Sequence, residues 1–175
     1  LFVVGKLEPE ELMTFIRKNQ AEKDFVKPEP IKRRFPQELT SDIIKQSDAK
    51  MPITIPKAIV GIKGVSALPE ADKDRLVFKL STDLLFQMLL GATSQNYLRL
   101  YNAGLLDDSF GYDFSLDRGF YFADFGGDTE EPKKLADRLV EILLNFETDP
   151  EINEQNLVLL KKKMLGKYFQ SLNSL

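Results

Sequence analysis

Between Phe110 and Phe125 the sequence FGYDFSLDRGFYFADF alternates aromatic and polar residues around a central Asp-Arg-Gly. Side chains of a strand point to opposite faces in turn, so this pattern can satisfy only an extended chain with one face covered. Phe110, Tyr112, Phe114 and Leu116 share the covered face of a first strand, while Gly111, Asp113 and Ser115 occupy the other. Asp117-Arg118-Gly119 makes the turn, and the residues from Phe120 to Phe125 return antiparallel. Such a hairpin needs a partner layer over its apolar side.

The remaining pattern supplies that layer as helices. Pro69 opens the longest one, with Glu70 and Asp72 in its first turn. Val77, Leu80, Leu84 and Met88 form its expected inner stripe, supported by Leu85 and Leu89, with Lys79, Asp83 and Gln87 opposite. Gly91 is placed to end it, Ser94 to cap a short helix carrying Tyr97, Leu98, Leu100 and Tyr101, and Gly104 to stop that one. A further helix begins between Thr129 and Pro132 and turns Leu135, Leu139, Ile142, Leu143 and Phe146 inward. A last one starts at Asn153 with Leu157, Leu160, Met164, Tyr168 and Leu172 in its stripe.

The first third is less regular. Leu1 to Val4 reads as a strand stopped by Gly5, followed by a helix from Pro9 to about Gln20 with Leu12, Phe15 and Ile16 on one side. Ala21 to Thr40 is broken by Pro28, Pro30 and Pro36, and its Lys32-Arg33-Arg34 cluster reads as solvated surface. Ser41 to Met51 and Thr54 to Lys63 are two further strand candidates, with Pro56 restricted to a strand start or an edge. The fold expected from this order is α+β: an antiparallel-rich sheet with helices packed on one face. The 175 residues are expected to make one domain, residues 1–175, excised from a longer chain, since Leu1 lies in a strand-like run and Leu175 in a helical pattern.

Chemistry is bounded by two absences. The chain has no His and no Cys, so the commonest general base, every thiol nucleophile and the nitrogen and sulfur ligands of zinc are missing. No Ser triad has a base, no GxSxG or GxGxxG occurs, and Gly91-Ala92-Thr93-Ser94 lacks the lysine and spacing of a P-loop. Asp107, Asp108, Asp113, Asp117, Asp124 and Asp128 match no calcium-loop spacing, and turn and capping duties account for most of them. A net charge of −3 leaves no electrostatic footprint for nucleic acid or an anionic membrane. No apolar run approaches the ~20 residues of a membrane span. A cysteine-free composition fits a reducing, cytoplasmic setting.

The residues that carry a family likeness lie in series. LFVVG followed by EPEEL resembles the strand-Gly-helix entry to the second domain of insulinase/pitrilysin-type (inverzincin) zinc metallopeptidases. LLFQMLLGATSQNYLRLYNAGLL is similar to the helix-Gly-Ser-Arg-Gly-Leu region of that family. FGGDTEEPKKLADRLVEILLNF resembles the family's next β-run and helix, and KKKMLGKYFQ is similar to a late helix. The likeness spans nearly the whole chain and is nearest to bacterial processing-peptidase-like members. It implies a metallopeptidase-type α+β domain of the non-catalytic half. The HxxEH zinc motif would belong to a related domain, of the same chain or a partner chain, which together with this one encloses a peptide substrate. Zinc is expected there, with no cofactor in this chain, no catalytic residue, no nucleic acid and no membrane. The family places an Arg and a Tyr near its Gly-Leu segment to hold substrate backbone. Here Tyr101 stands where the Arg is expected, Arg99 lies two residues earlier, Asp107 stands near the Tyr position, and the spacing to Gly104 is one residue short. The likeness thus implies Arg99 and Tyr101 as candidate substrate contacts, with packing on the helix as the other reading of Tyr101. The alternative function is a scaffold or partner subunit of a peptidase-like complex.

Overall fold

The structure is a computed structural model that describes residues 2–173 apart from 24, 27, 33–38 and 118. The turn residue Arg118 and most of the Lys32–Arg34 cluster therefore lie outside the described residues. In chain order the described elements are α1 (Pro9–Ala21), a 3-10 turn (Thr40–Asp42), β1 (Lys57–Lys63), α2 (Asp72–Leu90), α3 (Gln95–Asn102), β2 (Gly111–Asp117), β3 (Phe120–Asp128), α4 (Pro132–Leu144), a second 3-10 turn (Phe146–Thr148) and α5 (Glu154–Ser171).

The three strands form one antiparallel sheet in the order β1-β3-β2. Register follows from the alternation: Phe125 pairs with Tyr112 on one side and Val60 on the other, and Ala123 pairs with Phe114 and Ile62. Phe125, Ala123, Phe114 and Ala58 are thereby gathered on one buried face. Gly126 makes the close pairing of β1 with β3 possible, because a Cβ there would overlap the Ala58 carbonyl oxygen and lie 2.9 Å from Ile59 Cα.

That face is covered by α2 and α4, so the architecture is α+β with helices packed against one side of the sheet. Leu135 and Leu139 of α4 and Leu89 of α2 meet Phe125 in one core. Phe86 sits at its centre, edge-on to Phe125 with ring centroids 4.8 Å apart and to Phe114 at 6.0 Å. Such pairs contribute about 0.5–1.5 kcal/mol beyond the area they bury. The inner stripe of α2 differs from the expected one. Leu84, Met88 and Leu89 are buried and Leu85 packs inward as expected, but Val77 and Leu80 are exposed, and Phe78 and Phe86 pack inward instead. The reason is that α2 meets β2, α3 and α5. Its C-terminal half is enclosed on several sides, and a helix so enclosed carries apolar residues all round. Lys79, expected on the free side, donates to the Phe114 carbonyl oxygen (3.1 Å).

Two expected strands do not form. Residues 2–4 are irregular and exposed, and Ser41 to Met51 contains only the 3-10 turn at Thr40–Asp42. The mostly polar Ser41–Met51 segment offers no alternating apolar face to bury, and the Asp42 carboxylate instead accepts from the Leu39 amide (2.9 Å), closing a local turn. The helix α1 forms where expected yet buries no residue, with Phe15 exposed. On α5, Leu157, Leu160 and Met164 are half-buried, whereas Tyr168 and Leu172 are exposed, so the stripe is covered only along its first half.

Candidate functional site

Two surfaces have the shape of binding sites. The first is the side of the sheet that no helix covers. Ile59, Phe120 and Phe122 stand on it with Lys57, Lys63, Asp113 and Asp124 around them, and the Phe120 and Phe122 rings stack with centroids 6.3 Å apart. Ile59 is 69% exposed, an unusual place for a β-branched strand residue that neighbours could cover. Lys57 pairs with Asp128 across β1 and β3. A cleft of about 520 Å³ follows β1 from Gly61 to Gly64, with Asp42 to Ile44 as its other wall and Phe120 and Phe122 in its lining. Among the described residues β1 pairs only with β3, so its outer edge joins no further strand.

The second surface lies where α2, α3, the hairpin and α5 meet. Ser94 builds it. Its hydroxyl accepts from the Tyr97 amide (3.1 Å), capping α3, and donates to the Leu89 carbonyl oxygen (3.0 Å), joining α3 to the end of α2. At the other end of α3, Gly104 takes φ +65°, the Leu105 amide donates to the Leu100 carbonyl (3.0 Å) and the Gly104 amide to that of Tyr101 (2.9 Å). This is a Schellman stop, and only a residue without Cβ adopts it freely. Asn96, buried on α3, donates to Asp149 (2.8 Å) and ties the helix to the α4–α5 connection.

The short helix so held presents Tyr97 and Tyr101 stacked at 6.1 Å, with Tyr97 edge-on to Phe110 at 6.0 Å. Beside it is a cleft of about 530 Å³ whose lining includes Gln87, Tyr97, Asp108, Tyr112, Lys163 and Lys167. Burial, then the Asp108 carboxylate, raise the Tyr97 phenol above its ordinary value, so it stays protonated at neutral pH. Tyr112 is pushed up to about 12, by burial first and Asp83 second. Asp107 is held below the usual carboxylate range because the Ser109 hydroxyl (2.5 Å) and amide (2.8 Å) both donate to it.

The residues singled out from sequence fall beside this cleft rather than in it. Arg99 and Tyr101 are exposed on α3, and neither belongs to the lining. Tyr101 stacks on Tyr97, and it is Tyr97 that reaches the cleft. The i, i+4 repeat of tyrosines on a short capped helix was the available signal for Tyr97. Lys163 and Lys167 gave none, because a lysine run on a last helix resembles any solvated face.

Metal chemistry has no footing on these surfaces. Without His or Cys only carboxylates remain, and among the described residues no three of them gather closely enough to hold an ion. The donor set does not fit zinc. Asp107 and Asp113 are engaged with the hydroxyls of Ser109 and Ser115, and Asp128 with Lys57. No single described helix is long and apolar enough to cross a membrane.

Comparison with known proteins agrees with this architecture. Residues 1–164 match the family described as the Peptidase M16 inactive domain. The chain is 35% identical over 174 residues to the "Uncharacterized zinc protease YmfH" of Bacillus subtilis (strain 168), covering 99% of this chain and 40% of that protein. It is similar in fold to an M16-like peptidase of Alicyclobacillus acidocaldarius, with a TM-score of 0.72 and 25% identity over 97% of this chain and 40% of that one. The chain thus spans about two fifths of the length of both. An α+β sheet covered on one side, a donor set unfit for zinc and a match running from residue 1 to 164 agree: the chain belongs to the M16 peptidase family, as its inactive domain.

Proposed function

We propose that this domain is the substrate-holding wall of a zinc peptidase whose HxxEH-bearing domain carries the metal and the hydrolytic chemistry. The observation that carries the reading is β1, an outer strand with an apolar sheet face beside it and a cleft along its length. An extended peptide laid along such an edge gains main-chain hydrogen bonds without any reactive group from the domain, and alternate side chains find the Phe120–Phe122 surface. The opposite edge strand is less suited, since Lys79 already occupies the Phe114 carbonyl on β2. Arg99 and Tyr101, exposed at the end of α3, are proposed as secondary contacts to the same peptide. The parent would then be a cytoplasmic bacterial peptidase in which residues 1–175 are one domain.

Hydrogen exchange on the full-length, zinc-depleted protein tests this. Saturation with a non-cleaved peptide should slow exchange of the amides of Lys57–Lys63 while leaving those of residues 113–117 unchanged. Slowing confined to other elements, with β1 untouched, would contradict the strand-addition mode.

A further inference from the structure

We propose that the cleft between the C-terminal end of α2, the hairpin and α5 is a subsite for an acidic side chain of the bound peptide, held by Lys163 and Lys167. The inference rests on the peptide-binding reading above and adds to it the class of peptide. Lys163 and Lys167 are one turn apart on α5, so both ammonium groups stand on the same side of the helix and both line the cleft. Like charges at this spacing repel, at a cost of a few tenths of a kcal/mol, unless an anion lies between them. No carboxylate of the described residues supplies it. Lys57, Arg75, Lys79, Lys133 and Arg138 have ion pairs, and neither cleft lysine does. In a chain of net charge −3 this is a local excess of positive charge.

The rest of the lining gives the subsite a direction. Tyr97, Phe110 and Tyr112 make an aromatic wall, and the Leu90 and Leu160 side chains add apolar surface. Among the described residues Asp108 is the only carboxylate of the lining. It repels an acid near Tyr97 and accepts donors there, so a carboxylate is favoured at the α5 side and a peptide amide at the Asp108 side. A volume near 530 Å³ admits one acidic side chain with an apolar neighbour. Two charge-assisted hydrogen bonds to a partly solvated carboxylate correspond to about tenfold in affinity.

Fluorescence anisotropy on the full-length, zinc-depleted protein tests the assignment with a matched set of labelled decapeptides. In each pair a single Glu is replaced by Gln, and the position is scanned along the peptide. At least one register should show the Glu peptide binding about tenfold tighter than its Gln partner, with the difference shrinking as salt is raised. The double variant K163Q/K167Q should lose that preference, and its melting temperature should match the parent's because both side chains are exposed. A preference that survives in the double variant, or peptides that bind with no acid preference in any register, would overturn the subsite and leave the wall reading standing. Peptides that do not bind at all would remove the wall reading and the subsite with it.

Discussion

Tyr112 shows how one side chain couples the core to solution conditions. Its ring packs on Phe125 with centroids 6.0 Å apart and on Phe86 at 6.4 Å, and the residue also lines the α5 cleft. Burial and the nearby Asp83 push its pKa up to about 12. In the unfolded chain it titrates near the ordinary ~10. Because the folded value is the higher one, the native state keeps the proton longer. The stabilisation is fully present below pH ~10 and is lost as pH rises from there through about 12. A difference of this size corresponds to at most roughly 2.7 kcal/mol, and solvent screening of a half-buried phenol reduces it to about 1 kcal/mol. Chemical denaturation between pH 9 and 12 should therefore show a decline that is shallower in Tyr112→Phe, and equal slopes in the two proteins would contradict the half-buried phenol.

At the scale of elements, α3 is the part most dependent on single hydrogen bonds. It has eight residues, too few to persist alone, and Ser94, Asn96 and Gly104 fix its two ends and its docking through single hydrogen bonds and one turn. Ser94→Ala removes the cap and the bond to Leu89 together, and should cost about 1–2 kcal/mol in denaturant midpoint measurements, with no change in far-ultraviolet circular dichroism at low denaturant. A midpoint within error of the parent would mean that the cap is dispensable. This helix was legible in the sequence because caps are local chemistry: Ser94 before it and Gly104 after it state its limits. The hairpin was legible for a similar reason, since alternation reports a covered face whatever covers it. Helix orientation was not. Phe86 lies off the stripe through Leu80 and Leu84, and only the arrival of Tyr112, Phe114 and Phe125 from 26 to 39 residues later makes it central. The strand expected over Ser41–Met51 failed because its mostly polar residues offer no alternating apolar face to bury, and Asp42 closes a local turn with the Leu39 amide instead. Of the candidate site, the sequence pointed to the end of α3 and missed both α5 lysines, whose meaning depends on which cleft they face.

At the scale of the molecule, the domain is asymmetric. One side of its sheet is sealed by α2 and α4 around a continuous core, and the other carries exposed Ile59, Phe120 and Phe122. Helix α1 and the second half of α5 likewise expose Phe15, Leu165, Tyr168 and Phe169. A domain of the M16 inactive type without His or Cys thus exposes apolar residues on both its open sheet face and its helices. Peptide cleavage, measured with the two parts of the parent separate and combined, tests the central claim most directly. Positioning an extended substrate against a metal centre is worth several orders of magnitude in rate when the reacting groups are aligned. The expected result is zinc in the HxxEH-bearing part alone and no cleavage by this domain. Cleavage by the zinc-bearing part on its own should be at least ~100-fold weaker than in the intact protein, and should recover on mixing. Stoichiometric zinc in this domain, or full cleavage by the zinc-bearing part without it, would contradict that claim.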